Sequence, residues 1–219
     1  MRRLLSLIVM VFAGSIGSAQ AATVITFQDL ALDSGGAGGD RTSGGFFFDT
    51  AWNHSHIDIN QWGTSNGTQF MLVDNVATPL GGSNNSNTFS PTGGGPFSLS
   101  SIDISEAGNL GTMARQVQVT GNLFGGGTVS TLLNLDLNLV EGVTANYFQT
   151  FFFGPSWTNL SSVTLNGMSA QCCGDIKGNY YGIDNIVVDV ASPVPEPGTL
   201  SLLGLGSAYL VRRRRLNRL

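Results

Sequence analysis

Leu133-Asn134-Leu135-Asp136-Leu137-Asn138-Leu139 places a leucine at every second position and a polar residue between each pair. In an extended strand this spacing sends all four leucines to one face and the polar side chains to the other. Wound as a helix, the stretch would scatter Asn134, Asp136 and Asn138 around the cylinder and leave no apolar stripe. The same period recurs on both sides. Upstream lie Val117-Gln118-Val119-Thr120 and Phe97-Ser98-Leu99-Ser100, the latter followed by Ile102-Asp103-Ile104. Downstream lie Val163-Thr164-Leu165 and Ile183-Asp184-Asn185-Ile186-Val187-Val188-Asp189-Val190, and Val24-Ile25-Thr26-Phe27 opens the series. Glycine clusters punctuate these runs at Gly35-Gly36, Gly81-Gly82, Gly93-Gly94-Gly95-Pro96, Gly125-Gly126-Gly127 and Gly178-Asn179, as turns require. Many short strands with such punctuation predict an all-β domain over residues 22–192, an antiparallel β-sandwich of the jelly-roll type. The low-complexity span 81–96 reads as a surface loop.

Charge divides the chain more sharply than its overall net of −4 suggests. Seven of the ten basic residues stand at the two ends, leaving only Arg41, Arg115 and Lys177 between residues 22 and 195. Thirteen acids share that span, so its net charge is 3 − 13 = −10. Such a body does not bind nucleic acid, where phosphate contacts dominate affinity.

Both ends read as signals. Arg2 and Arg3, an apolar stretch from Leu4 to Ile16 and the small-x-small pattern Ala19-Gln20-Ala21 make residues 1–21 a secretory signal peptide, handled by the translocon and signal peptidase. Cleavage after Ala21 starts the mature chain at Ala22. At the other end, Ser192-Pro193-Val194-Pro195-Glu196-Pro197 is a rigid, extended break, because proline fixes φ and pushes its predecessor out of the helical region. Gly198 to Val211 is uncharged and mostly apolar, and Arg212, Arg213, Arg214 and Arg215 follow. As a short hydrophobic helix, fourteen residues span roughly 21 Å against a hydrocarbon core of about 30 Å. The arginines stay cytoplasmic by the positive-inside rule. A span this marginal suits a signal that is read and removed.

Val194-Pro195-Glu196-Pro197, the short apolar stretch and the arginine cluster, in that order, resemble the PEP-CTERM sorting signal over residues 193–219. The resemblance implies export across the inner membrane of a Gram-negative bacterium and transient anchoring there. It further implies recognition by an exosortase, a membrane-embedded, cysteine-protease-like transpeptidase that cuts near the Pro-Glu-Pro motif. Delivery to the cell surface or extracellular matrix would follow. It carries no information about residues 22–192.

Within that body, several constellations carry possible chemistry. Gly63-Thr64-Ser65-Asn66-Gly67 spells a nucleophile elbow, but both histidines precede Ser65 and no helix follows, so a glycine-rich loop explains it. His54, His56 and Asp58 share one face of a strand and could hold a metal; a polar strand face near Trp52 and Trp62 is the favoured reading. Cys172 and Cys173, the only cysteines, enter an oxidising compartment. A vicinal disulfide there is strained, since adjacent Cα atoms lie ~3.8 Å apart; an intermolecular bridge or a small buried pair are the alternatives. Asp29, near the end of the first strand, and Asp184, in the last, would meet if those strands approach, and oxygen-rich loops suit calcium. Trp52, Trp62, Trp157, Tyr147, Tyr180 and Tyr181 could stack on sugars, though core and rim positions are commoner for such side chains.

No catalytic set stands out. The sequence therefore favours a non-catalytic surface or matrix protein engaged in adhesion, exopolysaccharide association or biofilm structure. The alternative is a secreted polysaccharide hydrolase working through a carboxylate pair.

Overall fold

The computed structural model of the chain describes residues 22–33, 39–50, 54–59, 64–74, 87–107, 113–136, 148–168 and 180–190. The signal-peptide reading of residues 1–21, the helix expected after Gly198 and the Cys172–Cys173 pair lie outside them. The described residues are all β, with twelve strands and no helix. In chain order these are β1 (Thr23–Ile25), β2 (Arg41–Ser43), β3 (Phe46–Asp49), β4 (His54–Asp58), β5 (Phe70–Asp74) and β6 (Asn87–Pro91). They continue with β7 (Phe97–Glu106), β8 (Gln116–Leu123), β9 (Thr128–Asn134), β10 (Gln149–Phe152), β11 (Leu160–Met168) and β12 (Tyr181–Val190).

Every strand pairing is antiparallel, and the pairings form two blocks. One runs β10-β7-β12-β5-β4, with β1 lying beside the second half of β12. The other runs β9-β8-β11-β6-β3-β2. A single pair, Leu160 with Phe97, joins them into one curled sheet. From β5 onward, successive strands alternate between the blocks except at the β8–β9 hairpin, giving β5-β12-β7-β10 in one and β6-β11-β8-β9 in the other. This is the jelly-roll order, as the alternation predicts.

The core follows from that alternation. Val117 and Val119 of β8, Leu160, Val163 and Leu165 of β11, and Ile183, Ile186 and Val188 of β12 all enter one buried cluster. At one side of it five phenylalanines interlock: Phe27 meets Phe48 edge-on at 5.2 Å, Phe48 stacks on Phe89 at 5.5 Å, and Phe46 meets Phe97 edge-on at 5.1 Å. Edge-to-face and offset rings of this kind add to plain area burial. At Gly121 of β8 a Cβ would stand 2.8 Å from Leu160 and 3.2 Å from Trp157, so the Leu160 side chain packs where a larger residue would have to displace it.

Two features depart from simple alternation. In β7 the inward residues are Phe97 and Leu99, then Ile102 and Ile104; an irregularity opposite Val187 and Val188 takes up the phase change. In β12 the change falls at Asn185, whose φ of 46° lies in the left-handed region that asparagine tolerates better than most residues. Bulges of this type re-aim side chains without ending the strand. The second departure is Phe70-Met71-Leu72-Val73, which does not alternate at all. Met71 and Val73 enter the main core, while Phe70 and Leu72 join a second cluster with Ala107, Phe148 and Tyr180 on the opposite face. A strand buried on both faces has no polar side to show.

The loop expected over residues 81–96 is corrected in part. Residues 87–91 form β6, with Asn87, Phe89 and Pro91 inward, and only 92–96 make the turn into β7. One apolar residue, Phe89, is enough to set the face once Val163 and Phe48 flank it across the two neighbouring strands.

Candidate functional site

The bulge at Asn185 aims Asp184 away from the core, onto the outer face of the sheet. Asp184 is nonetheless completely buried, because the segment before β5 lies over it. Asn66 Nδ2 donates to Asp184 Oδ2 at 2.6 Å, and Thr68 Oγ1 donates to the same oxygen at 3.0 Å. Asp184 Oδ1 has no hydrogen-bond partner among the described residues. Directly across the ladder on β7 stands Asp103, which accepts from Thr150 Oγ1 at 2.6 Å and from Asn185 Nδ2 at 2.8 Å. A polar row thus crosses three strands, from Thr150 through Asp103 and Asp184 to Asn66 and Thr68.

Burial raises the Asp184 carboxyl above its ordinary range; the donors Asn66, the Asn185 backbone and Thr68 pull it back, and the Asp103 charge adds to the rise. Such a group keeps its proton more firmly folded than unfolded. Its stabilising contribution is therefore full below about pH 3.8 and is lost as pH rises through the folded pKa. Asp184→Asn, which cannot titrate, removes that loss. Thermal melts of both proteins should show the variant gaining on the wild type as pH climbs from below 4; a difference that stays flat with pH would disprove the titration. Asp29 behaves oppositely: desolvation raises it, but the Ser43 hydroxyl and the Gly44 amide outweigh this and lower it. Its contribution is lost on acidification and is common to both proteins, so it cancels in the comparison.

The two carboxylates expected to share calcium take part in different networks. The strands do approach, since β1 pairs with β12, and Gln28 Nε2 donates to Gln69 O at 3.4 Å. Asp29, however, accepts from Ser43 Oγ at 2.5 Å and Gly44 N at 3.1 Å, whereas Asp184 holds Asn66 and Thr68. Calcium takes six to eight oxygens. Among the described residues no three His, Cys, Asp or Glu side chains gather as a metal group.

Other candidates resolve structurally. Ser65 Oγ donates to Ile59 O at 2.6 Å and accepts from Gly67 N at 3.2 Å, while Asn66 Oδ1 accepts from Thr68 N at 3.0 Å. The later part of the Gly-x-Ser-x-Gly spelling, residues 65–67, turns through these bonds, with Gly67 at φ 82°. His56 and Asp58 are buried on β4, and Asp58 Oδ1 accepts from Ile59 N at 2.7 Å. Trp157 and Tyr181 are core residues: Trp157 packs on Phe153 with centroids 4.6 Å apart, and Tyr181 OH donates to Leu165 O at 3.3 Å. Full burial pushes the Tyr181 phenol well above its ordinary range. Trp52, Trp62, Tyr147, Cys172, Cys173 and the cleavage residues Ala19 and Ala21 lie outside the described residues. So do Val194, Pro195, Glu196, Pro197 and Arg212 to Arg215.

Sequence reasoning did not find Asn66, Thr68 or Asp103. Residues 63–67 read only as a glycine-rich loop, and the link from Asn66 to Asp184, 118 residues along the chain, is not a local signal.

The tail is where comparison with known proteins speaks. Residues 193–215 match the PEP-CTERM protein-sorting motif. This motif implies an exported protein, sorted by an exosortase toward the surface of a Gram-negative cell. No curated protein matches the chain significantly in sequence. Among solved structures, a DUF4465 family protein from Bacteroides caccae is similar with a TM-score of 0.50 and 13% identity, over 78% of this chain and all of that one. At this identity the likeness shows the fold alone. An exo-β-agarase aligns with a TM-score of 0.43 and 12% identity over 80% of this chain, which spans about a quarter (26%) of that enzyme.

Proposed function

We propose that this chain is an exosortase substrate whose jelly-roll domain serves, at the cell surface or in the extracellular matrix, as a non-catalytic adhesion or exopolysaccharide-associating module. The observation that carries this reading is the sorting motif at residues 193–215, which begins three positions after β12 ends. The signal peptide and translocon bring the chain across the inner membrane, the apolar segment holds it there, and the exosortase acts near Pro195-Glu196-Pro197. Of the two cross-strand carboxylates, Asp184 is buried beneath Asn66 and Thr68, which supports a structural rather than a hydrolytic use of it.

Mass spectrometry of the termini, on protein recovered from the native surface and medium, tests the sorting step. The expected mature chain starts near Ala22 and ends between Pro195 and Pro197. A stable surface form that still contains Leu219 would show a plain anchor instead. The molecular role is tested on a polysaccharide panel, assaying retention beside reducing ends. Retention without turnover supports the module; turnover abolished by one carboxylate substitution replaces it with a hydrolase.

A further inference from the structure

Four short turns gather at one end of the sandwich. Turns 44–45, 92–96, 124–127 and 153–159 all lie there, as does the point where β12 stops at Val190. The registers fix this placement, for Val190 pairs with Phe97, Phe97 with Leu160, Leu160 with Leu123, and Thr23 with Val188. None of those turns contains an Asp, Glu, Lys, Arg or His. They are built of glycine, proline, serine, threonine, asparagine and aromatics, and two phenylalanines project from this end: Phe152 is 82% exposed and Phe124 is 54% exposed. The nearest acids are Asp29, bound by Ser43 and Gly44, and Asp189, which stands one residue back along β12. The opposite end differs. Asp49, Glu106, Arg115 and Asp136 all stand at strand ends there.

The chain leaves β12 at the uncharged end, and only seven residues separate Val190 from Gly198, where the apolar segment begins. Fully extended, the step from Val190 to Gly198 spans no more than about 29 Å. While the tail is in the bilayer, this end is therefore held close to the lipid surface. A body of net charge −10 is repelled by anionic headgroups, and the repulsion is least when its charge-free end faces them. Exposed aromatic rings gain by entering the headgroup boundary.

We propose that the end of the sandwich bearing Phe124 and Phe152 docks on the phospholipid bilayer while the tail is uncut, presenting the chain to the membrane in one orientation. The proposal rests on the reading of residues 193–215 as a membrane-inserted sorting signal. Its test places a photoreactive benzophenone residue, one site at a time, at Phe124, Phe152 or Met168. Met168 is an exposed apolar control at the far end of β11, 41% accessible. The full chain with its tail intact is reconstituted into vesicles of phosphatidylethanolamine with a minority of phosphatidylglycerol, floated on a gradient and irradiated. Lipid adducts are expected at positions 124 and 152 and at background level at 168. Flotation with no adducts at 124 and 152, or with equal adducts at all three sites, overturns the docking but leaves the tail reading standing. Failure to float overturns the tail reading and the docking with it.

Discussion

Replacing Phe89 by alanine lowers the unfolding free energy by about 3–5 kcal/mol, the range for emptying a buried aromatic site. Phe89 is fully enclosed, stacks on Phe48, and lies 6.1 Å from the Phe46 ring and 6.0 Å from that of Phe97. Its strand is held between β3 and β11, so Phe48 and Val163 are its Cα partners on either side. The hole left by the ring is bounded by ladders on both flanks and cannot close by a simple shift of one strand. Domains are commonly stable by only about 5–15 kcal/mol, so this single change consumes a large share. Urea unfolding reads it as a lower midpoint at unchanged slope. Phe124→Ala, on an exposed ring, should stay within about 0.5 kcal/mol. A Phe89→Ala loss as small as that of Phe124→Ala would mean the aromatic cluster is not what holds β6 in place.

Converting Pro195, Glu196 and Pro197 together to alanine should abolish surface delivery while leaving the domain as stable as before. The motif follows β12 along the chain, after the last described strand, and none of the described core residues belongs to it. Fractionation of the native host should find the variant in the inner membrane with Leu219 still attached, and the surface and medium empty of it. The melting temperature of the purified protein should not move. Undiminished surface delivery would show that the three residues are not what the processing enzyme reads.

The strands that sequence reasoning reached are those with one wet face. β7, β8, β11 and β12 were visible because Val, Leu and Ile recur every second residue against Ser, Thr, Gln, Asn and Asp. The Leu133 repeat was read correctly for its start: β9 ends at Asn134, while Leu135 stays buried just past it and donates its amide to Arg115 O. Other elements were hidden for physical reasons. Phe70-Met71-Leu72-Val73 is apolar on both sides, and β2 has only three residues, too few for any period to register. β6 sits in a glycine- and asparagine-rich context that argues for a loop, and only its neighbours make it a strand. The site was less legible than the fold. Asp184 was singled out from the sequence, but its burial depends on Asn66 and Thr68, and its cross-strand pairing with Asp103 depends on the β7–β12 register. The sorting motif at residues 193–215 was legible because its recognition depends on the order of residues along the chain and needs no tertiary pairing.

Consider finally when β12 becomes available. It is the last of the twelve strands, yet it lies inside the sheet, against β7 on one edge and β1 and β5 on the other. Until it is synthesised, those three strands lack their β12 partner, and loop-closure entropy must be met over much of the chain before the sheet can join. Synthesis that stops early loses the strand and the signal together. A product that stops short of β12 therefore lacks both the strand that completes one block of the sheet and the motif at residues 193–215, so a chain that cannot complete its fold carries no sorting motif.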